Sequence, residues 1–238
     1  LDVGMVGDGT TVAITHCEGQ NVVLDYHEAW YAGIPWKESN PHLTAPLVDY
    51  AKMLETVERL DFDEIANWIV TLSKKFYLTS GIFARWNGLP LEQALHKKGL
   101  KQFKSEFFTR DDRSRMFQAM KLMMFDHRIV LYDWPITAGG KAKHSPLIEE
   151  LLSLQATQMA KNQILVEAPK ILGAHDDVSD ALVRAVWLSL EQVSNQKTTA
   201  RSEGSGLVRG SSLQGYQVRR ARNHGMLMDR NVRGLRRR

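Results

Sequence analysis

The sequence predicts an α/β protein built on one mixed β-sheet, with helices on both faces. Two patterns lead to this prediction. Residues 1–31 contain three strand-like segments separated by turn signals, which is typical of an antiparallel meander. Residues 48–192 then alternate between helical and strand-like segments, which favours parallel strands joined by crossover helices. Hydrophobic residues make up 43% of the 238 residues, enough for a folded core.

The meander is predicted from strand composition and turn chemistry. Leu1–Val6 is short and apolar, and Gly7-Asp8-Gly9 favours the positive φ angles of a tight turn. Thr10–Cys17 is rich in β-branched residues, and a second turn at Gly19-Gln20-Asn21 precedes a third strand over Asn21–Tyr31.

The rest of the chain is assigned from periodicity and boundary residues. Ala32–Pro46 contains three prolines and is predicted to be a loop. Helices are predicted over Val48–Leu60, Phe62–Lys75, Pro90–Lys98, Asp111–Phe125, Ser145–Ala160 and Val178–Gln192. Strands are predicted over Leu78–Phe83, Leu100–Phe107, Arg128–Tyr132 and Ile164–Glu167.

Composition excludes several classes of protein. The single cysteine, Cys17, excludes a disulfide scaffold and a multi-cysteine zinc site. No apolar run reaches the ~18 residues that a membrane span needs. A phosphate-binding Gly-x-x-x-x-Gly-Lys-Ser/Thr loop is also absent, so this chain holds no ATPase of that type.

Charge is distributed unevenly along the chain. From residue 201 onward there are ten arginines and two acids, a net charge of +8, whereas the whole chain carries +4. We therefore predict a folded domain over residues 1–197 and a basic tail over residues 198–238. Such a tail indicates a polyanionic partner or a docking role. The first residue is Leu1, and an immediate strand predicts a piece of a longer protein.

Carboxylates mark two places where chemistry can occur. Asp2 lies inside an apolar strand, where an unpaired carboxylate costs several kcal/mol, so it is either solvent-facing or functional. The run His175-Asp176-Asp177-Val178-Ser179-Asp180 begins the last helix. Capping explains one acid of this run. Asp177 and Asp180 share a helix face, and together with Asp2 they could gather around Mg²⁺ or Mn²⁺.

These residues resemble a known family. Leu1-Asp2-Val3-Gly4 opening a meander, with His-Asp-Asp-Val-Ser-Asp-Ala-Leu at residues 175–182, is similar to the nuclease domain of tailed-bacteriophage large terminases. The resemblance covers about residues 1–193 and implies an RNase H-like fold that cuts concatemeric double-stranded viral DNA. It implies that Asp2 and Asp177 are catalytic and that Asp176 adds a metal ligand. Asp180 is predicted to assist, and His175 either assists as an outer-shell proton carrier or has a capping or loop role.

Position 84 departs from the family pattern. The family tends to have Phe-Asp-x-Trp-Asn-Gly after its fourth strand, whereas this chain has Ala84 at the position of the aspartate. No carboxylate lies between Glu64 and Glu92. Ala84 is either an engineered aspartate-to-alanine change that abolishes cutting, which we favour, or this branch takes its second acid from Glu92 or Asp133.

For an intact site, the resemblance implies two Mg²⁺ or Mn²⁺ ions held by Asp2, an aspartate at position 84 and Asp177. Such ions supply an activated water and stabilise the leaving oxygen, so hydrolysis needs no covalent intermediate. The rival interpretations are a junction resolvase or transposase-like nuclease, and a non-catalytic module that binds DNA or the portal.

Basic residues around the cleft are the candidates for DNA contacts. They are Lys97, Lys98, Lys101, Lys104, Arg85, Lys141 and Lys143. Together they indicate phosphate contacts without reading of the bases. The resemblance further implies an N-terminal ATPase domain, a portal protein and a small terminase subunit as partners. It places the protein in the host cytoplasm, transiently on the viral procapsid.

Overall fold

The structure, a computed structural model, describes residues 1–4, 9–45, 57–132, 136–138, 141–159, 163–171 and 175–202. The side chains of residues 86–87, 136–138, 141–143 and 195–202 are outside this description. The chain divides into two compact units, Leu1–Ser194 and Asn195–Arg238. In the described residues, no helix has both the length and the apolar character that crossing a membrane requires.

The strands of the described residues form four small sheets. They are β1 (Gly9–Glu18), β2 (Asn21–Tyr31), β3 (Gly81–Ala84), β4 (Phe103–Glu106), β5 (Ile129–Val130), β6 (Ile136–Ala138), β7 (Lys141–Lys143), β8 (Gln155–Gln158) and β9 (Ile164–Glu167). The central sheet has the order β1-β2-β5, with β1 antiparallel and β5 parallel to β2. This mixed sheet confirms the predicted α/β class.

Over residues 1–4, the described part of the predicted first strand, strand pairing is limited to a single bridge. Asp2 pairs with Thr11 of β1 through two backbone hydrogen bonds of 3.0 Å. The N-terminal amino group of Leu1 donates to the carbonyl of Ile82 in β3 at 3.0 Å. The N-terminal segment therefore bridges β1 and β3, where the sequence predicted a full meander strand over Leu1–Val6. The turn predicted over residues 7–9 lies mostly outside the described residues.

The helices of the described residues are α1 (Trp36–Ser39), α2 (Phe62–Ser73), α3 (Arg85–Lys97), α4 (Arg110–Phe125), α5 (Pro146–Ser153) and α6 (Asp177–Ser202). Asp61 caps α2 by accepting a hydrogen bond from the Asp63 backbone at 2.7 Å. Thr109 and Asp112 form a reciprocal capping box at the start of α4. Local signals of this kind explain why the sequence predicted these two helices well.

Several predicted boundaries are wrong. The helix predicted over Ser145–Ala160 ends at Ser153, and Gln155–Gln158 instead forms β8, antiparallel to β9. The helix predicted from Pro90 begins at Arg85, directly after β3. The loop predicted over Ala32–Pro46 contains the one-turn helix α1. Most of the helix predicted over Val48–Leu60 lies outside the described residues.

Two hydrophobic clusters lie on opposite faces of the central sheet. One cluster contains Tyr26 and Trp30 with residues of α2 and α3. The other contains Val22 and Leu24 with residues of α4, α5, β9 and α6. In a regular strand these four residues of β2 would lie on one face, because they are spaced by even numbers. A β-bulge interrupts this alternation between Leu24 and Tyr26, which pair with Thr15 and Ile14 of β1. The side chains before and after the bulge therefore pack into different clusters.

A buried polar network strengthens the first cluster. Glu28 of β2 is fully buried, and its two oxygens accept hydrogen bonds from Trp36 Nε1 at 2.7 Å and Trp68 Nε1 at 3.0 Å. Burial raises the pKa of Glu28, while the two indole donors oppose this effect. Because a buried carboxylate needs hydrogen-bond donors, Glu28 holds Trp36 of α1 and Trp68 of α2 against the sheet.

Candidate active site

The candidate site forms where the N-terminal segment, β1 and the start of α6 meet. Thr11 Oγ1 donates a hydrogen bond to the backbone carbonyl of Asp177 at 2.8 Å, and the backbone of Thr11 also pairs with that of Asp2. Thr11 therefore ties the first acid and the last helix to the same strand. The two acids that the sequence singled out lie in one place, although most of the chain separates them.

Asp177 occupies a buried environment beside another negative charge. Burial, together with the nearby charge of Asp2, raises the pKa of Asp177 to about 6, although the Tyr31 hydroxyl, His175 and the Gly9 backbone N–H lower it. Its Oδ2 is buried and has no hydrogen-bond partner among the described residues. Asp177 thus offers a carboxylate oxygen for a ligand.

Two aromatic or imidazole side chains border Asp177. Tyr31 is buried at the end of β2, and burial, followed by the charge of Asp177, raises the pKa of its hydroxyl above the ordinary value. His175 lies against Tyr31 with 5.7 Å between ring centroids, and its Nδ1 is 3.9 Å from Asp177 Oδ2. His175 therefore lies near the carboxylate of Asp177, and its assisting role stays a prediction.

Arginines neutralise the other acids of the cluster. Arg184 Nη1 donates to Asp2 Oδ1 at 2.7 Å, and its Nη2 donates to Asp180 Oδ2 at 3.2 Å. Arg113 Nη2 donates to Asp176 Oδ2 at 3.0 Å and to Asp180 Oδ1 at 2.9 Å. Burial raises the pKa of Asp180 to about 6, and the two arginines oppose this effect. Sequence patterns gave no sign of these pairings.

Position 84 lies next to this network. Ala84 ends β3 and is the N-cap residue of α3, with φ −65° and ψ 135°. It lines a cleft of about 310 Å³ together with Asp180, Arg184, Arg113 and Arg85. A side chain longer than alanine at position 84 would therefore start at the wall of the cleft that Asp180 also lines.

Of the two alternative second acids, Glu92 is engaged by Ser105 and Asp133 is not described. Glu92 of α3 accepts hydrogen bonds from the backbone N–H of Ser105 at 2.8 Å and from its hydroxyl, which lower its pKa. Asp133 lies outside the described residues. The structure instead reveals Glu150 of α5, which the sequence did not indicate and which accepts a hydrogen bond from the Ser179 backbone at 2.9 Å. Burial raises the pKa of Glu150 to about 8.

The basic candidates near α3 lie at its two ends, and Lys104 lies in β4. Arg85 lies at the start of the helix, in the cleft beside Ala84. Lys97 and Lys98 lie at the other end of this 13-residue helix, about 18 Å away at the helical rise, and Lys101 follows them. The side chains of Lys141 and Lys143 lie outside the described residues. Arg110, at the start of α4, also lines the cleft.

The present residues do not fit the two-ion site that the resemblance implies. Asp177 has an available oxygen, but Asp2, Asp176 and Asp180 are each paired with an arginine. Among the described residues there is no group of three or more histidine, cysteine or acidic side chains arranged to hold a metal ion. Ala84 supplies no ligand at the position where the resemblance implies a second acid.

Comparison with known proteins identifies the fold. No protein-family model matches the chain, and no curated protein matches its sequence. The chain is similar to the crystal structure of the HK97 bacteriophage large terminase, with a TM-score of 0.55 and 18% identity over 76% of this chain and 36% of that one. It is also similar to the large terminase nuclease from thermophilic phage G20c, with a TM-score of 0.46 and 12% identity over 75% of this chain and 81% of that one.

The chain thus spans 36% of the HK97 large terminase. The predicted similarity in architecture is confirmed at the level of the fold. The chain has a terminase nuclease-like, RNase H-like fold, in which Ala84 and Asp180 line one cleft and Arg184 links Asp180 to Asp2.

Proposed function

We propose that this chain is the nuclease domain of a DNA-packaging large terminase and that its natural substrate is concatemeric double-stranded viral DNA. The observation that carries the proposal is that Thr11 ties Asp2 and Asp177 together in a terminase nuclease-like fold. Arg184 links Asp2 to Asp180, and Asp180 lines a cleft with Ala84. Asp2 comes from the segment paired with β1, and Asp177 from the first turn of the last helix.

The proposed reaction is divalent-metal-dependent hydrolysis of a phosphodiester, and it requires an aspartate at position 84. In this chain Ala84 leaves the acid set incomplete, so we expect cutting to be weak or absent. Bound Mg²⁺ or Mn²⁺ would supply an activated water and neutralise charge on the phosphate. Asp2, Asp177 and the restored aspartate would hold these ions, with Asp176 as a further ligand and His175 and Asp180 assisting.

This function also implies partners. We propose that an ATPase domain of the same protein, the portal and the small terminase subunit bring the nuclease to the DNA on the procapsid in the host cytoplasm. The basic tail over residues 198–238 would contact DNA or the portal. Contacts of several arginines with DNA would weaken steeply with added salt.

A second candidate function is a non-catalytic module that binds DNA or the portal. The arginine pairs on Asp2, Asp176 and Asp180 favour it, because they satisfy these acids without a metal ion. The two candidates differ in what an acid at position 84 should do.

The test is the substitution Ala84→Asp in the whole chain. The variant should cut supercoiled and linear duplex DNA in Mn²⁺ or Mg²⁺, without sequence preference and not in EDTA. Ala84→Asn has nearly the same shape without the charge and should remain inactive. Asp2→Asn in the Ala84→Asp background should abolish cutting. If Ala84→Asp folds, as circular dichroism reports, and stays inert in both metals, the nuclease proposal fails and the binding module is favoured.

A further inference from the structure

Arg184 contacts carboxylates from two distant parts of the chain at once. Its Nη1 donates to Asp2 Oδ1 at 2.7 Å and to the Leu1 carbonyl at 3.1 Å, and its Nη2 donates to Asp180 Oδ2 at 3.2 Å. Its guanidinium carbon lies 5.7 Å from the ring centroid of Phe108. Arg184 is only 8% exposed, so a single buried positive charge serves both carboxylates.

The helix α6 places this arginine by simple spacing. Asp177, Asp180 and Arg184 stand at positions i, i+3 and i+7, which share one helix face. Arg184 therefore faces the same N-terminal segment as the acids. Because Arg113 takes the other oxygen of Asp180, at 2.9 Å, both oxygens of that carboxylate are already engaged by guanidinium groups.

A cluster of buried carboxylates must be compensated by positive charge. A metal ion provides that charge in many acid clusters, and an arginine can provide it instead because it stays protonated at any working pH. An arginine so placed also opposes a metal ion. It engages carboxylate oxygens that hard cations require, and its charge repels a divalent ion a few ångströms away.

We propose that Arg184 is a built-in cation that takes the place of a metal ion between Asp2 and Asp180. The chain then neutralises its acid cluster without a divalent ion and binds such an ion weakly. This inference concerns the charge of the cluster with Ala84 in place, so it does not depend on whether Ala84→Asp restores cutting.

The test measures Mn²⁺ binding and thermal unfolding in the whole chain, without DNA. Wild-type protein should bind Mn²⁺ no more tightly than in the millimolar range, and its Tm should change little between EDTA and Mn²⁺. Arg184→Gln should lower the Tm in EDTA, and Mn²⁺ should restore part of this loss. The variant should bind Mn²⁺ about tenfold more tightly or better, since a nearby repelling charge is gone.

Three variants serve as controls. Arg184→Lys keeps the positive charge and should bind Mn²⁺ as weakly as wild type. Arg113→Gln leaves the Arg184–Asp2 pair in place and should gain less affinity than Arg184→Gln. Asp2→Asn in the Arg184→Gln background should remove the gain.

Unchanged or weaker Mn²⁺ binding by folded Arg184→Gln would overturn the proposal. If Arg184→Gln does not fold, the Mn²⁺ affinity of the wild-type protein alone tests the proposal. Micromolar binding that Asp2→Asn abolishes would show that Arg184 does not keep a metal ion away, whereas millimolar or weaker binding supports its role. Neither result depends on cleavage, so failure here differs from failure of the proposed nuclease activity.

Discussion

Glu150 Oε2 accepts a hydrogen bond of 2.9 Å from the backbone N–H of Ser179, and this contact joins α5 to the first turn of α6. A carboxylate that accepts hydrogen bonds from the unpaired backbone N–H groups at the start of a helix stabilises that helix. Here the same acid also stands near Asp177 and Asp176, whose charges raise its pKa. Glu150 thus combines a structural contact with repulsion from the candidate site.

The first prediction concerns pH. Burial raises the pKa of Glu150 from 4.5 to about 8, so between these values the folded state binds more protons than the unfolded state. The free energy of unfolding must therefore fall as pH rises through this window. Glu150→Gln keeps an oxygen that accepts from Ser179 and removes the charge. Urea unfolding at several pH values should show a shallower decline for the variant and a gain in stability that grows with pH.

Glu149→Gln is the matched control, because Glu149 is its exposed neighbour on α5. It should leave the pH dependence of wild type unchanged. Asp177 and Asp180, whose pKa values are raised to about 6, contribute with the same sign and account for a remaining slope at lower pH. Equal slopes in wild type and Glu150→Gln would contradict the assignment of a raised pKa to Glu150.

The second prediction concerns the stability of the acid cluster. Asp180 is 7% exposed and hydrogen-bonds both Arg113 and Arg184. Asp180→Asn would remove a negative charge that two largely buried arginines share. This loss should lower the free energy of unfolding by about 3–5 kcal/mol. Asp63→Asn breaks a surface pair with Lys98, in which the Asp63 side chain is 76% exposed, and serves as the control. That change should cost about 1 kcal/mol or less. Similar losses for the two variants in urea unfolding would argue against a coupled network.

Sequence reasoning worked best where a local signal decides the structure. The start of α2 follows from the Asp61 cap, and Ile164–Glu167 is a short apolar run that became β9 with the predicted bounds. Gln155–Gln158 was predicted as helix and forms β8, because its pairing with β9 is a non-local contact that helical periodicity does not reveal. The start of α3 follows the end of β3 at Ala84, where pairing with Glu106 of β4 also ends.

The candidate site shows the same division. Asp2 and Asp177 were predicted because each stands in a recognisable motif at the start of an element. Arg113 reaches Asp180 across 67 positions of the sequence, and Glu150 reaches Ser179 across 29. An arginine or glutamate within a helix usually lies on the surface, so the sequence offers no signal for these contacts. Only the packing of α4 and α5 beside α6 brings these groups together.

The final prediction concerns which basic residues contact DNA. Arg85 and Arg110 are exposed and line the cleft beside Ala84, whereas Lys97 and Lys101 lie near the far end of α3. Replacing both Arg85 and Arg110 by glutamine should weaken binding of duplex DNA and reduce the salt slope of log K by about 1 for each lost phosphate contact. Lys97→Gln with Lys101→Gln removes the same charge farther from the cleft and should have a smaller effect. Fluorescence anisotropy over a range of salt concentrations measures both quantities, and a larger loss for the lysine pair would place the DNA path along the far end of α3.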